Sequence, residues 1–274
     1  MNPIPVDSLT EKQIERYSRQ IILKDVGVEG TKKLLAAKVG VVGAGGLGCP
    51  AVQRLASAGV GTIRIIDGDI VDLSNLPRQI LHFTPDVGLY KVDSVAAKVH
   101  ALNPDISIET RREFLTRENV AGFLEGLDYV IEASDRFATK YLVNDACIFH
   151  KIPFTIAGVV EFMGQVLSVL PDVSACYRCI FPEPKNEDYS NNCSGAGVMN
   201  TVPSFAGLLQ ANEALKSICR LPLSFVNRIF VFDLMHGSFD YVPIKRSGKC
   251  LACADITSPY YLSNEYASEP ATCR

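Results

Sequence analysis

Residues 38–48 restrict the fold more than any other stretch. Lys38 to Val42 is a run dominated by β-branched side chains, and it leads directly into Gly43-Ala44-Gly45-Gly46-Leu47-Gly48. Helical spacing resumes over 46–58. A strand that meets a G-x-G-x-x-G turn and reopens as a helix begins a nucleotide-binding βαβ unit. Glycine is needed because the turn is tight and because backbone N–H groups must approach phosphate closely. The next strand, 62–66, ends at Asp67, about 20 residues on, where a carboxylate accepts from ribose hydroxyls. A glycine turn without any ligand is the plain alternative, and the placement of Asp67 counts against it.

The alternation continues. Helices are expected at 10–23, 29–37, 88–102, 116–125, 137–149 and 200–219, and strands at 106–110, 128–132, 153–158, 165–170, 227–233 and 238–244. Thr10 with Gln13 makes a capping box for the first helix, and Ile14, Tyr17 and Ile21 recur at helical spacing. Strands alternating with helices imply parallel pairing in a doubly wound sheet. After about residue 160 the alternation stops, and the stretch 182–197, rich in Pro, Asn, Ser and Gly, reads as an exposed, mobile loop.

Composition narrows the partners. The net charge is −3, from 27 basic and 30 acidic residues, which gives no electrostatic reason to expect nucleic acid or an anionic membrane. No apolar run approaches the ~20 residues that span a bilayer, and the polar N-terminal stretch has no signal-peptide core. A cytosolic, hence cytoplasmic, location is the expectation. Nine cysteines then read as metal ligands or reactive thiols rather than disulfides.

Four of them form two C-x-x-C pairs, Cys176 with Cys179 and Cys250 with Cys253. One such pair could be a redox couple. Two make a closed four-thiolate site suited to zinc, with a structural role. Because 70 residues separate Cys179 from Cys250, the site would tie the tail back onto the core. Cys49, Cys147 and Cys219 fall in expected helices and read as packing residues, and Cys273 receives no role. His82, His100, His150 and His236 show no metal-like or triad-like pattern, and read as structural or surface residues.

The nucleotide is the sharper question. A plain NAD site would use Gly43, Gly45, Gly48 and Asp67. It leaves unexplained Asp69, the run Leu73 to Gln79 with Asn75 and Arg78, and Lys91 at a helix start. These cations and hydrogen-bonding groups suit a triphosphate better than a dinucleotide.

Several blocks in register resemble one family. They are R-Y-S-R-Q-I-I-L (16–23), G-A-G-G-L-G-C-P (43–50), A-S-A-G-V-G (56–61), D-G-D (67–69), L-S-N-L-P-R-Q (73–79), V-G-L-Y-K (87–91), A-L-N-P (101–104) and S-D-R-F-A-T-K (134–140). Over roughly 10–255 the chain is similar to the MoeB/ThiF/HesA group of ubiquitin-activating-like adenylyltransferases. That resemblance implies a Rossmann-type α/β fold, mostly parallel, with antiparallel C-terminal strands and the zinc site. It implies one domain over 1–274, with a nucleotide-binding half at about 38–160 and a zinc- and carrier-binding half at about 161–255. The implied activity is ATP-dependent adenylation of the C-terminal glycine of a small ubiquitin-like sulfur carrier ending in Gly-Gly.

The resemblance also implies site roles. Gly43, Gly45, Gly46, Gly48 and Asp67 would hold adenosine and phosphates. Asp69, Asn75, Arg78 and Gln79 would line the phosphates, Lys91 would contact them, and Asp135 would be associated with Mg. Arg19 would reach across a homodimer interface into the partner's site. Cys193, in the 182–197 loop, matches a cysteine that can take the acyl group or join sulfur chemistry, and an incidental loop thiol is its alternative reading. Arg136 stands where the family usually has asparagine, pointing into solvent or supplementing phosphate contacts. A sulfur donor is expected to be a separate protein, since no room is left here for a rhodanese domain. A tRNA-linked carboxylate dehydratase of the same superfamily and a non-catalytic partner subunit are the competing readings. Retention of Arg19, Asp67, Arg78, Lys91 and Asp135 argues against the second.

Overall fold

The computed structural model describes residues 9–182, 197–254 and 259–263. Cys193, Cys273 and nearly all of the 182–197 stretch lie outside the described residues. The chain opens with α1 (Glu11–Arg16) and α2 (Ser18–Ile21) in place of a single helix over 10–23. The capping box is present: Thr10 Oγ1 accepts from the Gln13 N–H at 3.2 Å and Gln13 Oε1 from the Thr10 N–H at 3.0 Å. The break falls on Tyr17, whose ring turns inward to 2% exposure and whose hydroxyl accepts from Asn103 Nδ2 at 2.9 Å. Burying that aromatic outweighs continuing the helix.

The remaining elements are α3 (Gly27–Ala36), β1 (Lys38–Val42), α4 (Gly48–Ala58), β2 (Thr62–Ile66), α5 (Lys91–Leu102), β3 (Ser107–Arg111), α6 (Val120–Leu124), β4 (Tyr129–Glu132) and α7 (Phe137–Phe149). They continue with β5 (Phe154–Val160), β6 (Met163–Val169), α8 (Tyr177–Ile180), α9 (Thr201–Ile218), β7 (Arg228–Asp233) and β8 (Ser238–Pro243). Three expected boundaries shift for local reasons. α5 starts at Lys91 because residues 88–90 pair back, with Gly88 N–H on Val71 O at 2.9 Å and a bridge between Ile70 and Tyr90. α6 is shorter than 116–125 because the Asn119 side chain accepts from the Thr116 N–H at 2.8 Å and closes a turn first. β6 begins two residues before 165, in a tight hairpin that pairs Val160 with Met163.

Among the described residues, eight strands form one sheet in the order β3-β2-β1-β4-β5-β6-β7-β8. The first five pair in parallel and β6, β7 and β8 are antiparallel. Helices cover both faces. Val39, Val41, Ile63, Ile65, Tyr129 and Ile131 point to the layer containing α4, α5 and α9. Val42, Ile66, Val130, Phe154 and Ile156 point to the layer containing α6 and α7. A strand buried on both sides reads as a continuous apolar run, as β1 does. The chain leaves β1 toward β2 and later returns to β4 on the other side, so the C-terminal ends of β1 and β4 flank a crevice at the switch point. No described helix is long and apolar enough to cross a membrane.

Candidate active site

The crevice is built around the turn after β1. Gly43 has φ +101, and a Cβ there would lie 2.8 Å from Ala133 O and 3.1 Å from Ser134 N. A Cβ on Gly48 would lie 1.9 Å from Gly43 O. Both positions therefore demand glycine: the first for conformation and proximity to the β4 end, the second because the turn folds onto the start of α4. At Gly45 the nearest neighbour of a Cβ would be Gln79 Nε2 at 3.5 Å, and at Gly46 it would be Pro203 at 3.0 Å with Arg78 O at 3.5 Å. The turn thus gathers the Arg78–Gln79 segment and the Ala133–Ser134 peptide around it.

Asp67 closes the arrangement. Its Oδ2 accepts from the Ala44 N–H at 2.7 Å and its Oδ1 from the Asp69 N–H at 2.8 Å. Burial pushes its carboxyl above the usual range, while Lys91 and the two N–H groups pull the other way. A spare lone pair on each oxygen is what a ribose would use. The Lys91 ammonium, buried at 6% exposure, donates to Asp69 Oδ2 at 2.8 Å, and the Lys91 N–H donates to Asp69 O at 3.0 Å.

Two expected phosphate contacts have local duties as well. Asn75 Oδ1 accepts from the Asp72 N–H at 3.3 Å, and Arg78 Nη1 donates to Ser74 O at 3.0 Å. Gln79 is buried at 4% exposure, and its Oε1 has no partner among the described residues. The atom beside Gly45 is Nε2, a donor from which a phosphate oxygen could accept.

Asp135 is exposed at the start of the β4–α7 connection and has no hydrogen-bond or ion-pair partner among the described residues. An open carboxylate suits Mg, which binds through one or two carboxylates together with substrate phosphates. Arg136 stacks at 4.2 Å over the Phe114 ring, which itself covers Gly68, so it is exposed but ordered against the D-G-D segment. Arg19 does not join the cluster. Its neighbour Gln20 donates to Ala58 O at 3.0 Å, at the far end of α4 from the glycine turn. An eleven-residue helix puts those ends about 15 Å apart. Arg19 is exposed there, beside Ile22 at 71% exposure.

The four paired cysteines converge at a separate place, beside α7 and α8. Their sulfurs all lie within 4.8 Å of one another. The closest pairs are Cys179–Cys253 at 3.5 Å, Cys176–Cys250 at 3.6 Å and Cys176–Cys179 at 4.0 Å. Thiolates about 2.3 Å from one tetrahedral zinc would stand about 3.8 Å apart, so the set fits. A hydrogen bond from Cys176 helps pull the Cys179 thiol down to about 6. Backbone and amide groups support the ring, with Ser247 N–H on Cys179 Sγ at 3.4 Å and Asn144 Nδ2 on Cys176 Sγ at 3.7 Å. Cys49, by contrast, is buried and pushed up to about 12 by desolvation, and Cys147 is raised for the same reason, as suits packing residues.

Two buried polar groups near the crevice escape sequence reasoning. His82 Nε2 meets Ala44 O at 2.9 Å and its Nδ1 meets Ser94 Oγ at 2.9 Å, so the Ala44 peptide is held by Asp67 on one side and by His82 on the other. Glu132 and Lys140 form a fully buried pair beneath Ser134. Nothing in their spacing marks either group. The one hint is a charged residue ending the apolar strand Tyr129–Glu132.

The ThiF family model matches residues 17–252. The SAMP-activating enzyme E1 of Haloferax volcanii is 42% identical over 248 residues, 90% of this chain and 92% of that protein. The sulfur carrier protein adenylyltransferase of Thermus thermophilus is 38% identical over 251 residues, covering 90% and 93%. Adenylyltransferase and sulfurtransferase MOCS3 of Culex quinquefasciatus is 41% identical over 92% of this chain, which spans only 58% of that longer protein. Among solved structures, E. coli MccB with ATP superposes at a TM-score of 0.73 with 27% identity, over 87% of this chain and 74% of that one. With the glycine turn, its acidic partner and the four-cysteine cluster all in one doubly wound sheet, the chain belongs to the ThiF family.

Proposed function

We propose that this protein uses ATP to adenylate the C-terminal glycine carboxylate of a small ubiquitin-like sulfur carrier ending in Gly-Gly. The observation that carries the reading is the meeting of the Gly43 turn with the Ala133–Ser134 peptide, which brings the turn next to the segment of Asp135, a carboxylate with no partner among the described residues. The names of the archaeal and bacterial relatives support the substrate class.

The chemistry follows from charge. A carboxylate is ionised at pH 7, so its attack on the α-phosphorus of ATP needs no general base. A new C–O–P bond forms, the bond from the α-phosphorus to the bridging oxygen breaks, and pyrophosphate leaves with the electron pair. Gly43, Gly45, Gly46 and Gly48 present backbone to the phosphates, and Asp67 holds the ribose. Asp69, Asn75, Arg78 and Gln79 line the polyphosphate, and Lys91 compensates the charge moving onto the leaving group. Mg, when bound at Asp135, would neutralise phosphate charge in the same step. Arg19 acts in the partner's site of a homodimer, which agrees with its distance from its own crevice. Zinc on Cys176, Cys179, Cys250 and Cys253 has a structural role. The nucleotide half spans about 38–160 and the carrier-facing half about 161–255, in a cytoplasmic protein served by a separate sulfur donor.

The test is carrier-dependent ATP–pyrophosphate exchange with candidate carriers ending in Gly-Gly. Asp135→Ala is expected to abolish it, and full exchange in that variant would overturn the mechanism. Cys193→Ala is expected to leave exchange intact, because a thiol plays no part in carboxylate attack on phosphorus. If that thiol takes the acyl group, only onward transfer falls; normal transfer makes Cys193 incidental.

A further inference from the structure

Asp135 has no partner among the described residues, so its backbone sets where its carboxylate stands. That backbone is anchored from below. Glu132 Oε1 accepts from the Ser134 N–H at 2.9 Å and from the Ser134 hydroxyl. Lys140 Nζ donates to Ser134 O at 2.7 Å, to Ala157 O at 2.7 Å and to Glu132 Oε2 at 2.5 Å. Both sides of residue 134, one position before Asp135, are therefore gripped by one ion pair. Its side chains are 6% and 0% exposed.

The pair is closed in on itself. An ammonium has three donors, and here all three are used. Both oxygens of Glu132 are engaged too, and both side chains are buried, so the pair does not face a ligand. Burying two charges in this way adds little stability over an apolar pair of similar volume. The gain is geometric: the same Ala133–Ser134 peptide lies against Gly43, so whatever fixes it fixes the spacing between Asp135 and the phosphate-binding turn. Ala157 in the middle of β5 is gathered by the same ammonium, and Gln210 Nε2 donates to Glu132 O at 2.7 Å, which ties the strut to α9.

We propose that Lys140, acting with Glu132 through the Ser134 peptide, is the positioning residue that sets Asp135 against the glycine turn. The proposal rests on the metal reading of Asp135 given above. It assigns Lys140 no contact with ATP.

The test uses full-length protein, Mn²⁺ and a non-hydrolysable ATP analogue, with Mn²⁺ affinity read by electron paramagnetic resonance. The charge-neutral double variant Glu132→Gln/Lys140→Met keeps an acceptor for the Ser134 N–H and loses the grip on its carbonyl. It is expected to weaken Mn²⁺ binding about tenfold, the loss typical of an outer-shell partner. Affinity for the metal-free analogue is expected to hold at the wild-type value, which general loosening of the fold would not allow. Hydrogen exchange on the ligand-free protein is expected to speed up at the amides of residues 134–136. Lys140→Arg, whose guanidinium offers enough donors for the same acceptors, is expected to recover Mn²⁺ affinity to within about threefold. If the double variant melts below the assay temperature, Glu132→Gln/Lys140→Gln, whose shorter amide at position 140 also gives up the grip on the Ser134 carbonyl, carries the test in the same direction. Wild-type Mn²⁺ affinity in a folded variant would overturn the positioning role. Asp135→Ala separates the two readings. Normal Mn²⁺ affinity there overturns the metal assignment and this proposal with it. Loss there, with no change in the Lys140 variants, overturns only the strut.

Discussion

Two glycines of one motif make opposite predictions when each is changed to alanine. At Gly48 the added methyl would stand 1.9 Å from Gly43 O, more than an ångström inside the roughly 3.3 Å at which carbon meets a carbonyl oxygen. Gly43 cannot recoil freely, because its own Cβ direction is blocked by Ala133 O at 2.8 Å. The strain must spread into the turn and the β4 end, at the roughly 1–3 kcal/mol of a forced overpacking. At about 2–4 °C per kcal/mol, the melting temperature falls by roughly 3–10 °C. A turn displaced by about 1 Å also loses roughly a hundredfold in turnover. At Gly45 the methyl meets only Gln79 Nε2, at an ordinary 3.5 Å. Gly45→Ala is expected to melt within about 1 kcal/mol of wild type. With the turn in its proposed phosphate-binding role, the added methyl crowds the nucleotide, and KM for ATP is expected to rise about tenfold, the worth of one charge-assisted hydrogen bond. Scanning calorimetry and exchange kinetics on both variants decide the matter. A Gly48→Ala protein with wild-type melting and wild-type kinetics would refute the steric reasoning.

Three further outcomes are expected. Purified protein carries about one zinc per chain, and Cys176→Ser loses both metal and thermal stability, checked by metal analysis and calorimetry. Heterodimers of Arg19→Ala with Asp135→Ala chains regain part of the exchange activity, because one hybrid site is intact; no recovery in verified heterodimers would exclude a role across the interface. Burial works to raise the Asp86 carboxyl, but hydrogen bonds from Lys98, the Phe83 N–H and Ser94 hold it below the ordinary range. A lowered carboxyl stabilises above its unfolded pKa and stops doing so as pH falls through the native value. Asp86→Asn therefore destabilises at pH 7 by about 1–3 kcal/mol, and urea titrations of the two proteins converge toward pH 3.

What the sequence made legible is what few residue types can do. Gly48 could be read because nothing larger fits against Gly43 O, and the paired cysteines because four thiols at that spacing have few other uses. The parallel half of the sheet followed from alternation, and β1 from its unbroken apolar run. Less was legible where an ordinary residue acquires its part from the backbone around it. Lys140 looks like any helical lysine until Ser134 and Ala157 turn their carbonyls toward it. His82 follows a leucine in a loop, and only the fold reveals Ala44 O against its ring. Asn75 and Arg78 read as phosphate ligands, yet each also stitches its own turn, a use that composition does not display. Tyr17 had the right period for one long helix, and the pull of its buried ring was invisible to period.

The four-cysteine cluster has a consequence for the unfolded chain. A metal held there joins the chain at Cys179 to the chain at Cys250 and so closes a loop of 70 intervening residues that includes α9, β7 and β8. Closing a loop of that length removes roughly 4 kcal/mol of conformational freedom from the denatured ensemble, by the same chain-statistics argument that applies to disulfides. A metal–thiolate knot does this without a sulfur–sulfur bond, so the restraint survives in a compartment kept reducing, where a disulfide would be lost. The pairing of β6 with β7, the antiparallel contact between strands far apart in sequence, then forms from a tethered ring rather than from a free tail.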